Sequence, residues 1–178
     1  SLLFNAGSGM AYTFRVDGQF GQEGALKLTL APAAAPANDN FASRLALTGA
    51  GASASGSVLA ATLESGEPNP AAKGRSVWYD WTAPATGTAY FKVVADRFDP
   101  AVGIYSGTSV GSLTAFVSGG TGNATTTATT FLFGYPVNSG SSYKVRVDGT
   151  PAVNGNFQIS ITMPAAPVND HFASRTKL

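Results

Sequence analysis

The chain has no cysteine, a single histidine (His171), and charge on only 12 % of its 178 residues. The missing cysteines exclude a disulfide framework, a thiolate metal site and a cysteine nucleophile. With 11 Lys and Arg against 10 Asp and Glu, the net charge is +1. A nucleic-acid binder needs a basic patch that neutralises phosphates, so no nucleic-acid partner is expected. No apolar run approaches the ~18 residues that mark a membrane-span candidate. What is present is 44 % hydrophobic residues, 21 glycines and 10 prolines. That is enough apolar material for one core, and the wealth of Gly, Ala, Ser and Thr favours strands and turns over helices.

The chain repeats itself. Residues 12–18 read YTFRVDG and residues 143–149 read YKVRVDG; PANDNFASR (36–44) returns as PVNDHFASR (167–175). Both matches share one offset of 131 residues without a gap. Pro/Ala-rich stretches, LAPAAAPAND (30–39) and MPAAPVND (163–170), mark the junctions. Such sequences favour polyproline II and act as semi-rigid spacers. Five segments follow: 1–31 as the last strands of a preceding repeat, 32–37 as linker, 38–162 as a complete bead, 163–168 as linker, and 169–178 as the start of the next repeat.

Within the bead, Tyr143, Val145 and Val147 alternate with Lys144, Arg146 and Asp148, and Phe157, Ile159 and Ile161 with Gln158, Ser160 and Thr162. Period-2 alternation of this kind predicts half-buried strands. Further strands are expected at 76–82, 88–95, 101–105, 113–117 and 127–133. Many short strands separated by polar turns predict an all-β, antiparallel sandwich. Tyr79, Trp81, Phe91, Tyr143, Val145, Phe157 and Ile159 are its expected core. Trp78 faces the other way; packing under a loop is the expectation, with a sugar-stacking platform as the alternative.

In 1–31, Tyr12, Phe14, Val16, Leu26, Leu28 and Leu30 read as the apolar face of a hairpin whose own bead is absent. A lone hairpin is marginal in water. These six residues are therefore an expected assembly interface, covered by a neighbouring repeat or by another copy of the chain.

The run from Asn38 to Thr162 resembles the bacterial pre-peptidase C-terminal domain family. The carrying stretches are NDNFA (38–42), ATLESGEP (61–68), SVWYDWTAPATG (76–87), FDPAVGIYSG (98–107) with GSLT (111–114), and YKVRVDG (143–149). The resemblance implies a secreted, noncatalytic sandwich of jelly-roll type, found beside secreted proteases and as tandem units of surface proteins. The family is also similar to the collagen-binding domains of clostridial collagenases, some of which bind calcium. Two departures stand out: Phe98-Asp99-Pro100 where the family has FDT, and a chain without acids at 118–123 where it often has Asn-Asp-Asp.

Gly107-Thr108-Ser109-Val110-Gly111 fits G-x-S-x-G, but a nucleophile elbow needs a strand-to-helix turn and a histidine partner. Here the segment joins two expected strands, and His171 lies beyond the bead. Ser141-Ser142-Tyr143-Lys144 fits S-x-x-K but enters a strand. Hard cations want several oxygen ligands, which Asn38, Asp39, Glu64 and Glu67 could supply as a candidate calcium site. The alternative is that Asn38 and Asp39 organise a turn while the glutamates are solvated or paired with Arg44 or Arg75. The expectation is a noncatalytic repeat of an extracellular or cell-surface fibre, stalk or adhesin, partnered by neighbouring repeats or copies of itself. The alternative is a module that holds polysaccharide or matrix protein for a secreted hydrolase.

Overall fold

The computed structural model describes residues 6, 9–18, 20, 23–68, 74–121, 123, 125–150, 155–165, 173 and 175. The chain divides into two units, Ser1–Ala34 and Ala35–Leu178. The second unit holds nine strands: β1 (Leu45–Leu47), β2 (Gly51–Ser57), β3 (Arg75–Thr82), β4 (Gly87–Ala95), β5 (Ala101–Ser106), β6 (Thr114–Gly119), β7 (Thr129–Val137), β8 (Ser142–Gly149) and β9 (Asn156–Thr162). Two short 3-10 turns, Phe41–Ser43 and Val110–Ser112, accompany them.

The strands form two sheets, ordered β1-β3-β8-β5-β6 and β2-β9-β4-β7. From β2 to β9 the chain changes sheet at every connection except β5 to β6. This is the winding of a jelly roll, extended by β1 at one edge. Every pairing is antiparallel except β1 with β3, which is parallel (Leu45↔Tyr79). The corner between β1 and β2 turns at Gly49 (φ +85°), whose carbonyl accepts a hydrogen bond from Trp81 Nε1 at 2.9 Å.

Alternation explains which side chains enter the core. Val77, Tyr79 and Trp81 of β3 and Tyr143, Val145 and Val147 of β8 face Phe91 and Val93 of β4 and Phe157, Ile159 and Ile161 of β9. All are buried, including the seven expected core residues. Rings lock across the gap: Trp81 meets Phe91 edge-on at 5.8 Å, and Tyr79 meets Phe157 at 6.3 Å. Edge-to-face pairs of this kind add ~0.5–1.5 kcal/mol beyond the area they bury. The corners between sheets tolerate no extra atoms at some glycines. A Cβ on Gly120 (φ +86°) would fall 1.9 Å from the Pro100 carbonyl oxygen.

The described part of the unit Ser1–Ala34 contains no strand, and Tyr12, Phe14, Val16, Leu26, Leu28 and Leu30 are exposed in it. The expected hairpin is not formed among the described residues of this unit. One repeat on, Tyr12, Phe14 and Val16 correspond to Tyr143, Val145 and Val147 of β8, and Leu26, Leu28 and Leu30 to Phe157, Ile159 and Ile161 of β9. β8 and β9 lie in different sheets and do not pair with each other. Each is a central strand, flanked by β3 and β5 or by β2 and β4. The next repeat's start, 169–178, lies outside the described residues apart from Ala173 and Arg175.

Candidate functional site

The outer face of the five-stranded sheet is where the polar chemistry gathers. β3 and β8 pair with Ser76 opposite Asp148, Trp78 opposite Arg146, and Asp80 opposite Lys144. These side chains point away from the core, yet most of them are buried. The segments around residues 36–44 and 58–68 fold over them. Trp78 is wholly buried between Phe41 (5.1 Å, edge-on) and Tyr105 (5.7 Å), as expected for a side chain under a loop.

The four residues expected as calcium ligands have another use here: they fasten this cover. Asn38 Nδ2 donates to the Trp78 carbonyl at 3.0 Å. Asp39 accepts from the Thr62 backbone N–H (2.6 Å) and hydroxyl (2.7 Å). Glu64 Oε2 accepts from the Phe41 N–H at 2.9 Å. Glu67 accepts from Ser76 Oγ (2.6 Å) and Trp78 Nε1 (3.0 Å), and its Oε2 lies 3.4 Å from Arg146 Nε. Among the described residues, no group of three or more His, Cys, Asp or Glu side chains is placed to hold a metal ion. Asp99 plays a similar part elsewhere, accepting from the Thr121 N–H (3.0 Å) and hydroxyl (2.6 Å).

Arg146 is the hub. Its guanidinium donates to the Pro68 carbonyl and, through Nη2, to Asp148 Oδ2 at 2.7 Å. The Glu67, Arg146 and Asp148 side chains are 0 %, 2 % and 5 % exposed. One cation thus sits between two buried acids, leaving net negative charge if both ionise. Burial pushes the Asp148 carboxyl up to about 7; the Arg146 guanidinium opposes this and the Glu67 charge adds to it. Burial likewise raises the Tyr105 hydroxyl, against the pull of Arg146. One row along, burial disfavours the charge of Asp80, but Ser142, Lys144 and Arg44 outweigh it and hold that carboxyl below its ordinary value.

Two atoms of this network, Asp148 Oδ1 and Arg146 Nε, are buried without a hydrogen bond of normal geometry, although the backbone N–H groups of Gly149 and Arg75 favour the Asp148 carboxylate. Asp148 and Arg146 line a cleft of about 190 Å³ beside β5 and β6. Its floor is built from small residues: Ala101 opposite Asp148, Gly103 opposite Arg146, and Ser118 opposite Gly103. The Tyr105 ring lies over Gly103, where a Cβ would fall 2.4 Å from the Tyr105 hydroxyl.

No protein-family model matches the chain, and no curated protein matches it. The likeness to pre-peptidase C-terminal domains therefore stands on the quoted motifs alone. Among solved structures, the chain is similar to the K3 cleaved adhesin domain of Lys-gingipain from Porphyromonas gingivalis. That match has 12 % identity over 63 % of this chain and 74 % of that one, with a TM-score of 0.35. It is also similar to a family 35 carbohydrate-binding module from an environmental isolate, with 14 % identity over 64 % and 91 % of the two chains and a TM-score of 0.34. Likenesses this distant carry neither a ligand nor an activity to this chain.

The opposite sheet offers a second outward face. There Ser53, Ser55, Gln158, Ser160, Lys92 and Val94 line a hollow of about 350 Å³. On the same sheet Tyr90 is half-exposed, its ring against Gly134 on the neighbouring strand. Sequence reasoning did not single out Arg146, Asp148 or Tyr105. Alternation assigned the first two to the outward face correctly, but it cannot show that distant loops cover that face.

Proposed function

We propose that the chain is a noncatalytic repeat unit of an extracellular bacterial adhesin, stalk or fibre, whose beads meet one another or other copies of the chain. One observation carries this reading. Residues 12–16 repeat part of β8, and at the same offset the apolar alternation of 26–30 matches that of β9; both strands occupy the centres of their sheets. Side chains of that kind find stable cover in a sandwich, and in an array that sandwich is the neighbouring bead. The use of Asp39, Glu64 and Glu67 to fasten loops supports the same reading, because these acids serve the bead's own structure. Sedimentation of the 178-residue chain over a range of concentrations tests it. Self-association that vanishes when Phe14 and Leu28 are both changed to Ser is the expected result. A monomer at every concentration argues against assembly through this segment.

A second reading, a module that holds polysaccharide or protein for a secreted hydrolase, has its own observation: the cleft beside β5 and β6 with Arg146 and Asp148 in its wall. Binding to a glycan panel by a strictly monomeric chain would decide for it.

A further inference from the structure

We propose that β7 is a pairing edge, taken by β7 of a second copy of the chain in antiparallel register about a two-fold axis at Leu132. The inference rests on the reading that copies meet, and it names the surface on the complete bead. It uses no residue of 1–34, so the two contacts fail separately.

The four edges of the two sheets are β1, β6, β2 and β7. None carries a charged residue, the device that commonly keeps an edge from pairing. β1 is blunted by its length of three residues, and β6 by a bulge at Phe116, which its register with β5 skips. β2 turns only Ala52, Ala54 and Gly56 inward, so its edge offers little apolar surface. β7 has none of these protections along 129–135. It runs for nine residues in unbroken register with β4 and, among the described residues, pairs with no other strand. Its inward side chains Phe131, Phe133 and Tyr135 stay only partly buried, and Leu132 is 58 % exposed on the outward face. Phe116, itself half-exposed, stacks on Tyr135 at 5.5 Å and extends this aromatic seam.

Pro136 fixes which backbone groups are free. It stands opposite Thr88 and has no N–H, so its backbone faces away from β4. By alternation Thr130, Leu132 and Gly134 do the same, presenting N–H and C=O groups to a further strand. A strand that pairs there has to bring apolar side chains to the seam and no uncompensated charge. β7 of a second copy does both. With Leu132 opposite its own counterpart, Thr130 faces Gly134 and Phe131 faces Phe133 across the axis. The outward N–H groups of 130, 132 and 134 then meet carbonyls, and the two aromatic seams cover each other. One strand pair is a small contact, below the ~1,200 Å² of a stable interface, so isolated chains pair weakly and arrays pair by avidity.

The chain has no cysteine, so a single introduced thiol reports the contact. Leu132→Cys is compared with Ser53→Cys, an exposed position on β2 at the opposite edge of the same sheet. Under mild oxidation of millimolar chain, Leu132→Cys is expected to form linked dimers at least about tenfold faster, because the axis sets the two Cα atoms ~5.5 Å apart, within disulfide reach. The same excess is expected when Phe14 and Leu28 are both changed to Ser, which removes the contact proposed for 1–34. A second readout needs no thiol. The Thr130, Leu132 and Gly134 amides should exchange at least about tenfold more slowly in millimolar than in micromolar chain, and Leu132→Lys should abolish the difference by placing two charges at the axis. Slow exchange at 144–148 in each variant establishes that the bead is folded. Equal cross-linking at the two thiol positions, or exchange at 130–134 that ignores concentration, would overturn the edge pairing and leave assembly through 1–34 standing. A cross-linking excess that disappears with Phe14 and Leu28 would assign the dimer to that segment and overturn the edge pairing as well. An excess that persists in a chain without segment-dependent self-association would strike the other contact alone.

Discussion

Arg146 Nη2 and Asp148 Oδ2 are 2.7 Å apart on β8, and Arg15 and Asp17, one repeat earlier, hold the same 2.7 Å contact between the same atoms. The contact distance is shared; the surroundings are not. The first pair is 2 % and 5 % exposed, the second 85 % and 64 %. An exposed pair contributes ~0–1 kcal/mol, whereas removing one partner of a buried pair costs ~3–5 kcal/mol. Arg146→Met leaves Glu67 and Asp148 as uncompensated buried acids, so it should lower unfolding stability by about 3–5 kcal/mol. Arg15→Met should cost less than about 1 kcal/mol. Urea denaturation of the two variants side by side measures the contrast.

Asp148 also makes stability depend on pH. Its carboxyl, ordinarily near 3.8, is pushed to about 7 in the folded chain, chiefly by burial. Between those values the folded state binds a proton that the unfolded state does not, so stability falls as pH rises through that window. Below about 4 both states are protonated at this site, and above about 7 the full cost of the buried charge is present. Asp148→Asn should flatten the slope between pH 4 and 7 and stabilise the chain relative to wild type at pH 8. A slope unchanged by the substitution would assign the titration to another group.

Much of this fold was legible because strands alternate large apolar and polar residues. Val145 and Ile159 announce a buried face, and the expected strands at 76–82 and 88–95 lie within one residue of those observed. β1 and β2 were not. β1 has only three residues, and in GASASGS of β2 the inward residues are Ala52, Ala54 and Gly56, which barely differ in hydropathy from the serines between them. The cover over Trp78 was hidden for another reason. Asp39, Glu64 and Glu67 are acids in loops, and sequence shows the acceptors without the donors. Those donors, Thr62, Phe41, Ser76, Trp78 and Arg146, come from separate parts of the chain.

Calcium occupancy of Asn38, Asp39, Glu64 and Glu67 would require Asp39 to release Thr62 and Glu64 to release the Phe41 N–H. The melting temperature is therefore expected to be the same in millimolar calcium and in chelator. Asp39→Ala should destabilise the chain by ~1–3 kcal/mol with or without the ion, because the Thr62 N–H loses its acceptor. A calcium-dependent rise in melting temperature that Asp39→Ala abolishes would instead mean that the ion reorganises the cover.

Gly120 offers a check on the junction beside the cleft. Its φ of +86° lies where side chains are strained, and a Cβ would fall 1.9 Å from a backbone oxygen, which cannot swing aside as a side-chain tip can. Gly120→Ala should cost at least ~1–3 kcal/mol and displace the Pro100–Ala101 strand entry. Gly140→Ala has the φ of +76° but nothing within 4 Å of the new atom, so it should cost less. The difference between the two, measured by thermal unfolding, isolates the steric part.

The last prediction uses the repeat as its own control. YTFRVDG and YKVRVDG differ at two positions, yet 143–149 is a central strand and 12–18 forms no strand. Backbone amides in a central strand open only with the fold, while amides outside any ladder exchange freely. In monomeric chain, hydrogen exchange should therefore be slow at 144–148 and fast at 13–17. If beads complete one another in an array, the 13–17 amides must become slow when a preceding bead is supplied in the same polypeptide, with Arg15 and Asp17 then buried as Arg146 and Asp148 are. Arg15→Met should become as costly in that longer chain as Arg146→Met is in this one. Continued fast exchange at 13–17 in the two-bead chain would show that the repeat in sequence is not a repeat in structure, and the adhesin-array reading would fall with it.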